Sequence, residues 1–322
     1  MIYSGVKISG MFQCVSHPTF GIVLLGGLNN ERERLPYHDS AGVCYSLKDR
    51  ESVARTTLYI TDEPKESTLN GEIIDSSDTR SPFKMIEPYR EEILKKFNGN
   101  YISVVSENEN IISGSSDAGA AALGKCIQSA LGVIDLENLE QNMRKVSESA
   151  GRSFFGGLTV TTGIEKPVTR QLLPEEAFAE FTVISAVFPH KRKPSDLIHF
   201  NQPRSDYYPT RIENANRNVA TLKELSNRKD IKAIWELAMR DTDDYHYLNS
   251  LVDVEIVTEQ MKALMDDIKD RRANKWMSYI VTGGNSVFVI TEIKNVEFAR
   301  SVIEPHTKDM RELKIAGPAR LL

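Results

Sequence analysis

The chain has 322 residues, of which 40% are hydrophobic and 26% charged, with a formal net charge of −5 and a pI near 5.8. This composition is typical of a globular protein with one large domain or two lobes, and its acidity argues against nucleic acid as the partner. We expect neither a membrane span nor a signal peptide, because apolar runs stay short of roughly 18 residues and the N-terminus lacks the signal pattern.

The predicted strands and helices come in blocks. Apolar or alternating runs predict strands at residues 20–25, 40–46, 55–60, 101–106, 158–162, 181–188, 277–281 and 287–291. Helical spacing predicts helices at residues 85–97, 135–150, 194–198, 230–238 and 257–271, with Asp135 and Asp230 as N-caps. The Asn70-Gly71 pair predicts a hairpin within residues 67–74. Blocks of this kind favour an α+β fold over a doubly wound sheet, and we place a domain boundary near residue 180.

The cysteines and histidines give no indication of metal chemistry. Cys14, Cys44 and Cys126 are far apart, and neither they nor the six histidines show the spacing of a metal site. An odd number of separated cysteines is typical of a reducing compartment, so we expect a cytoplasmic protein. Cys126 falls on the apolar side of an Ala-rich helix, where we expect it to pack.

Residues 111–124 form a loop of small residues that leads into this Ala-rich helix. Such a loop lets the backbone approach a ligand, and the N–H groups and dipole of the following helix suit a phosphate. Ser and Asp also cap ordinary helices, and plain capping explains Ser116 and Asp117 equally well. The stretch is not a Walker loop, because Gly119 is followed by Ala120 instead of Lys, and it lacks the Rossmann glycine spacing.

Two charged groups further along each allow two interpretations. Glu148 and Arg152 would share one face of the helix that begins after Asp135 and ends or is interrupted at Gly151. They are either a surface pair worth roughly 0.3–0.5 kcal/mol or a pair aimed into a cleft, and the apolar, Gly-rich segment that follows favours the cleft. The basic run at residues 191–193 is either solvated surface or a site for nucleotide phosphates.

Several segments together resemble a known family. They are FGIVLLGG, SGSSDAGAAALG, VSESAGRSFFGGLTV, KRKPSD and YIVTGGNSVFV, and they span roughly residues 18–288. The chain resembles the branch of the GHMP kinase superfamily that contains diphosphomevalonate decarboxylase, and within it the archaeal mevalonate 3-kinases. The resemblance implies a two-lobed α+β fold, with residues 1–180 (phosphate loop 111–119) and 181–322 as lobes and the site in the cleft between them. It also implies a homodimer that uses ATP and Mg²⁺.

The resemblance also implies roles for individual residues. The residues expected to bind ATP are Ser113, Gly114, Ser115, Ser116, Arg192 and Ser195. The residues expected to bind mevalonate are Leu24, Leu25, Glu148, Arg152 and Thr282. Arg152 matches the arginine that holds the substrate carboxylate, which a guanidinium can bind through two parallel hydrogen bonds. Thr282, Glu148 and Arg192 are the expected catalytic residues.

Three departures from the decarboxylase pattern predict the activity. Thr282 replaces a catalytic Asp, Leu24 replaces a Lys that binds the substrate diphosphate, and Glu148 replaces a Gly. A diphosphate would lose a cation and meet a like charge, whereas an uncharged 5-hydroxyl would suit the pocket and could donate to Glu148. We therefore expect ATP-dependent phosphorylation of the tertiary 3-hydroxyl of (R)-mevalonate in an isoprenoid pathway, without decarboxylation.

The loss of Asp fits a reaction that stops at the phosphate ester. Positioning and charge stabilisation supply most of the rate of phosphoryl transfer, and general-base help is worth only about 10²–10⁴-fold. Two alternatives remain open on the sequence. One is a decarboxylase of diphosphomevalonate or phosphomevalonate, and the other is a non-catalytic homologue that binds a small molecule.

Overall fold

The computed structural model describes residues 7–30, 32–190 and 193–322. The strands within these residues are β1 (Ile8–Ser16), β2 (Thr19–Val23), β3 (Leu28–Asn30), β4 (Leu35–Pro36), β5 (Ser40–Leu47), β6 (Val53–Thr61), β7 (Thr68–Leu69), β8 (Glu72–Ile73), β9 (Tyr101–Glu109), β10 (Leu158–Thr162), β11 (Val168–Leu173), β12 (Phe181–Val187), β13 (Met277–Val281), β14 (Ser286–Glu292), β15 (Met310–Ile315) and β16 (Arg320–Leu321). The α-helices are α1 (Phe83–Ile86), α2 (Arg90–Phe97), α3 (Ser115–Leu131), α4 (Leu136–Arg144), α5 (Ala150–Phe155), α6 (Ser195–Asn201), α7 (Tyr208–Asn227), α8 (Ile231–Ser250), α9 (Glu259–Arg271) and α10 (Val296–Ile303).

Two large, mainly antiparallel sheets carry the helices. The first sheet has the strand order β16-β1-β6-β9-β7-β8, in which β7 and β9 are parallel. The second has the order β11-β10-β5-β15-β12-β14-β13, and β2 pairs with β5 outside this order. Sheets of this kind, with helices packed on them, make an α+β fold, as the block pattern of the sequence predicted.

The sheets and helices bury apolar surfaces that the sequence pattern already indicated. Strands β2 and β5 are buried along their whole length, and the rings of Phe20 and Phe288 stack with centroids 4.8 Å apart. Helix α3 lies on the first sheet, and its alanines pack in a core with Leu58 and Met85. Cys126 is buried there as predicted, with its Sγ 3.2 Å from the carbonyl oxygen of Phe12.

The hairpin and capping predictions, which depend only on neighbouring residues in the sequence, are confirmed. Asn70 and Gly71 have φ values of 52° and 85° and join β7 to β8 in the predicted hairpin. The Asp135 side chain caps α4, where it accepts from the N–H groups of the second and third residues of the helix, and Asp230 caps α8.

Two helix predictions are wrong in their extent. The helix expected at residues 85–97 is divided, because Pro88 lies in a 3₁₀ turn between α1 and α2. The helix expected at residues 135–150 ends at Arg144, and α5 begins at Ala150. The intervening turn carries Glu148, so Glu148 and Arg152 do not share one helix face, and Gly151 lies inside α5 instead of ending a helix.

A buried ion pair holds the end of strand β2. The N–H of Leu24 donates to Oδ2 of Asp241 at 2.7 Å, and Nη2 of Arg211 donates to the Leu24 carbonyl oxygen at 2.7 Å. Arg211 and Asp241 are fully buried and pair at 2.7 Å, and the neighbouring carboxylates outweigh the effect of burial and raise the pKa of Arg211. The main chain at Leu24 therefore has a fixed position.

The turn after Leu24 requires glycine at residue 27. Gly27 has a φ of 77°, and a Cβ there would overlap the hydroxyl of Tyr208, which donates to the Gly26 carbonyl oxygen at 2.6 Å. We expect Gly27→Ala to lower the free energy of unfolding by about 2–5 kcal/mol, since left-handed strain and overpacking add. Urea denaturation followed by circular dichroism measures the change.

Gly71→Ala is the matched control. Gly71 has a φ of 85°, but a Cβ there would meet nothing within 4 Å, so we expect only the left-handed cost of about 1–2 kcal/mol. Equal losses in the two variants would contradict the packing argument.

Candidate active site

The predicted phosphate loop ends at an uncapped helix N-terminus. Helix α3 begins at Ser115, no side chain caps it, and its first internal bond runs from the N–H of Ala118 to the Gly114 carbonyl oxygen. Gly114 has a φ of 78°, and a Cβ there would lie 2.7 Å from the carbonyl oxygen of Thr19, so the position requires glycine. The first N–H groups of α3 are open to an anion, and plain capping does not describe this helix.

Tyr45 holds the loop in this position. Its hydroxyl donates to the Ser113 carbonyl oxygen at 2.7 Å and accepts from the N–H groups of Ile112 and Ser113 at 3.2 and 2.8 Å. A single phenol on a buried strand thus fixes the residues before the helix.

A cavity of about 290 Å³ opens at this helix N-terminus. The sequence-predicted residues that line it are Leu24, Leu25, Ser113, Gly114, Ser115, Ser116, Glu148, Arg152, Ser195 and Thr282. Arg192 lies outside the described residues. The structure brings the other predicted residues together around one space, and the role of each stays a prediction.

Arg152 is buried in the wall of this cavity with incomplete hydrogen bonding. Its Nη2 donates to Oγ of Ser40 at 2.7 Å, while its Nε has no partner in the structure. Burial lowers the pKa of Arg152, and the carboxylates of Asp117 and Glu148 oppose that shift. A buried cation beside an open space favours an anion, so an incoming carboxylate would be stabilised here.

Glu148 also lines the cavity, but two arginines and a histidine surround it. Oε2 accepts from Nε of Arg34 at 2.7 Å, Oε1 lies 3.1 Å from Nε2 of His199, and Nη2 of Arg80 is 4.0 Å from Oε2. Burial opposes the charge, yet the hydrogen bond to His199 and the charges of these neighbours hold the pKa of Glu148 well below its ordinary value.

These contacts reduce the expected effect of the Glu148 charge on substrate selection. Glu148 and Arg152 both face the cavity, as the cleft interpretation of the sequence expected. Because the charge of Glu148 is compensated, its repulsion of a substrate diphosphate is weaker than the sequence suggested. The apolar wall of Leu24 and Ile198 then contributes a larger share of any selection against a phosphorylated substrate.

Asp117 is a buried residue of the cavity wall that sequence patterns offered little means to find. Its Oδ2 accepts from Oγ1 of Thr19 at 2.7 Å and its Oδ1 from Oγ of Ser147 at 2.5 Å. Burial raises the pKa of this carboxyl, although both hydrogen bonds favour the ionised form. Its position directly after the Ser-Gly-Ser-Ser run was the one available signal. Lys193 of the basic run also lines the cavity, and the lining residues that were not predicted include Thr19, Arg80, Ser149, His199 and Tyr245.

A second cavity of about 620 Å³ lies on the other side of the same helix N-terminus. Its walls are apolar at Ile74, Val104 and Leu123 and carry the amides of Asn70 and Asn108. It shares Arg80, Ser115 and Ser116 with the first cavity. The sequence did not predict this space.

The described residues contain neither a candidate metal cluster nor a helix that could span a membrane. No group of three or more His, Cys, Asp or Glu side chains in residues 7–30, 32–190 and 193–322 could hold a metal ion. Among the helices of those same residues, none is both long and apolar enough to span a bilayer.

Comparison with known proteins identifies the family. Residues 193–297 match the model for the C-terminal domain of mevalonate-3-kinase, and residues 16–167 match that for the N-terminal domain of diphosphomevalonate decarboxylase-like proteins. The chain is 42% identical over 310 residues to the mevalonate-3-kinase of Picrophilus torridus, covering 95% of each chain. The chain belongs to the mevalonate 3-kinase family.

The similarity to a second mevalonate 3-kinase supports this assignment to the family. The mevalonate 3-kinase of Thermoplasma acidophilum is 38% identical, over 94% of this chain and 95% of its own. The crystal structure of that enzyme with mevalonate 3-phosphate and ADP bound superposes with a TM-score of 0.92, covering 97% of this chain and 98% of the other. The predicted α+β fold, of the GHMP kinase type, and the prediction of a kinase are confirmed.

The charge of Glu148 predicts a pH dependence of stability. A carboxyl whose folded pKa lies below its ordinary value of 4.5 stabilises the fold above that value and loses this effect as the pH falls through the folded pKa. We expect Glu148→Gln to lower the free energy of unfolding by about 3–5 kcal/mol at pH 7, because Arg34 loses its buried partner. The difference from wild type should shrink below pH 4.5.

Urea denaturation between pH 3 and pH 7 measures this difference. Glu137→Gln is the control, because Lys166 also lowers the pKa of Glu137 but the side chain is exposed, so the effect should be much smaller. A loss in Glu148→Gln that is independent of pH would contradict an ionised Glu148.

Proposed function

We propose that this chain transfers the γ-phosphoryl group of ATP to the tertiary 3-hydroxyl of (R)-mevalonate, giving 3-phosphomevalonate and ADP without decarboxylation. One observation carries the proposal. A single cavity holds an uncapped helix N-terminus and the buried guanidinium group of Arg152, which suit a phosphate and a carboxylate. The mevalonate 3-phosphate and ADP in the structure of the Thermoplasma relative support this assignment.

The phosphates of ATP lie at the N-terminus of α3 in this proposal. Residues 113–116 bind them through N–H groups and hydroxyls, together with Arg192, Ser195 and the neighbouring Lys193. The nucleoside occupies the larger cavity, because that cavity shares Ser115 and Ser116 with the smaller one. Mg²⁺ is held mainly by the phosphates and water, with few protein ligands, as is common for Mg²⁺ bound to nucleotides.

Mevalonate binds in the smaller cavity with its carboxylate on Arg152. Leu24 and Leu25 form the wall beside the 5-hydroxyl end, and Glu148 accepts the hydrogen bond of that hydroxyl through a remaining lone pair. This orientation leaves the tertiary hydroxyl facing the γ-phosphate, with Thr282 nearby.

The transfer itself requires little covalent help from the protein. The 3-hydroxyl oxygen bonds to the γ-phosphorus, the bond to the β–γ bridging oxygen breaks, and ADP leaves with the electron pair. In a loose transition state the hydroxyl proton is lost late, to an oxygen of the transferred phosphoryl group, so positioning and cations provide most of the rate. Thr282 in place of an Asp is compatible with this reaction.

Phosphorus NMR of the product from mevalonate and ATP tests the proposal. We expect a tertiary phosphate ester, whose phosphorus lacks the coupling to CH₂ protons that a primary 5-phosphate shows. Parallel assays with diphosphomevalonate and phosphomevalonate measure released CO₂. Release at the rate of ADP formation would instead indicate a decarboxylase, and no mevalonate-dependent ADP would indicate a binding homologue.

Arg152→Ala tests the carboxylate site. We expect a higher KM for mevalonate, a lower kcat, and a fall in kcat/KM of about 10²–10³-fold, because a buried ion pair with the substrate is lost. Steady-state kinetics of ADP release measures it. Arg170→Ala, at an exposed arginine paired with Glu137, is the control and should leave the kinetics unchanged. Unaltered kinetics in Arg152→Ala would remove this residue from the site.

Three further features belong to the same proposal. We place the boundary between lobes 1–180 and 181–322, and the two family models, at residues 16–167 and 193–297, support it, while β15 and β16 pair with β5 and β1 of the first lobe. The active form is a homodimer, which light scattering of the purified protein tests. The location is cytoplasmic, in keeping with cysteines that are free and buried.

A further inference from the structure

Arg80 lies where the two cavities meet. It belongs to the loop between β8 and α1. Of the residues that the structure describes, Arg80, Ser115 and Ser116 line both spaces, and Arg80 is the charged one. If the nucleoside fills the larger cavity and mevalonate the smaller, this junction is where the terminal phosphate must be.

Hydrogen bonds hold the Arg80 side chain, but they do not use all of the N–H donors of its guanidinium group. Its Nε donates to the Val146 carbonyl oxygen at 2.9 Å, and Nη1 lies 3.4 Å from Oγ of Ser195. Nη2 is 4.0 Å from Oε2 of Glu148, which is beyond hydrogen-bond distance. The side chain is 25% exposed, so the guanidinium keeps N–H groups that can face the cavity while its stem is held.

We propose that Arg80 is a catalytic residue that binds the phosphoryl group during its transfer from ATP to the acceptor hydroxyl. The inference rests on the proposed function, since it takes ATP and mevalonate to occupy the two cavities. It adds a specific cation to a site in which the sequence had identified only residues 113–116, Arg192 and Ser195 for the phosphates.

The chemistry of the transfer explains why a guanidinium is needed at this junction. Negative charge on the transferring phosphoryl group is spread over three equatorial oxygens. A planar fork of N–H donors can bind two of these oxygens at once and, because Nε is already anchored, loses little freedom on binding. A lysine would supply a point charge without the fork.

The anchoring also links the junction to the mevalonate end of the site. Val146 lies just before Ser147 and Glu148, in the turn between α4 and α5, and Ser195 begins α6. Arg80 thus touches the elements that carry the predicted substrate and phosphate residues.

Kinetics of Arg80→Gln and Arg80→Lys test the proposal. The amide of Gln can still donate to the Val146 carbonyl oxygen but carries no charge. We expect kcat to fall about 10²–10⁴-fold in Arg80→Gln, in line with the loss of an arginine that stabilises transferred phosphate, while the KM for mevalonate changes less than about threefold. Arg80→Lys should recover less than a tenth of the loss.

Chemical rescue separates catalysis from a structural role. Added guanidinium should raise kcat of Arg80→Ala at least tenfold, with saturation, and should have no such effect on wild type or on Arg170→Ala. If Arg80→Ala does not fold, the same rescue is measured on Arg80→Gly or Arg80→Ser.

The results that would overturn the proposal are distinct from failure of the proposed function. If wild type forms 3-phosphomevalonate but Arg80→Gln keeps its kcat within threefold, Arg80 is not catalytic. A loss of kcat that guanidinium does not restore, accompanied by a lower melting temperature, would make Arg80 structural. A wild type that forms no product from mevalonate and ATP would overturn the proposed function and this inference with it.

Discussion

The hydrogen bonds of the Asp117 carboxylate hold the parts of the site together. One oxygen accepts from Thr19, at the start of β2, and the other from Ser147, in the turn that carries Glu148. Asp117 itself is in the first turn of α3, beside the open N–H groups. A buried carboxylate with a partner on each oxygen fixes three segments that are far apart in the chain. The apolar wall, the helix N-terminus and the acidic turn can form one cavity because this group sets their relative positions.

The parts of the site that the sequence predicted rest on local chemistry. A run of small residues before an Ala-rich helix is recognisable from the sequence, because glycine at residue 114 and short side chains at residues 113–116 let the backbone come close to a ligand. The hairpin at Asn70-Gly71 and the caps at Asp135 and Asp230 are of the same kind. Apolar runs such as residues 20–25 predicted buried strands, since their burial depends on their own composition.

The parts that the sequence did not predict depend on distant partners. The break between α4 and α5 occurs where Arg144 donates to the Glu148 carbonyl oxygen at 2.7 Å and Asp117 binds Ser147, neither of which helical spacing reveals. The pairing of Glu148 with Arg34 joins residues 114 positions apart. Helix α7 was missed because its asparagines have low helix propensity and tertiary packing decides its structure. Selecting Leu24 and Thr282 required a family pattern, because an isolated Leu or Thr has no chemical signature.

The ion pair of Arg211 and Asp241 has a consequence for how substrate preference can change. Both of its hydrogen bonds to residue 24 go to main-chain atoms, so the strand keeps its course whatever side chain stands there. A replacement at this position can present a new group to the substrate without displacing the scaffold. In the proposed function, exchange of this one side chain would change the preference between charged and uncharged acceptors while the nucleotide site stays in place.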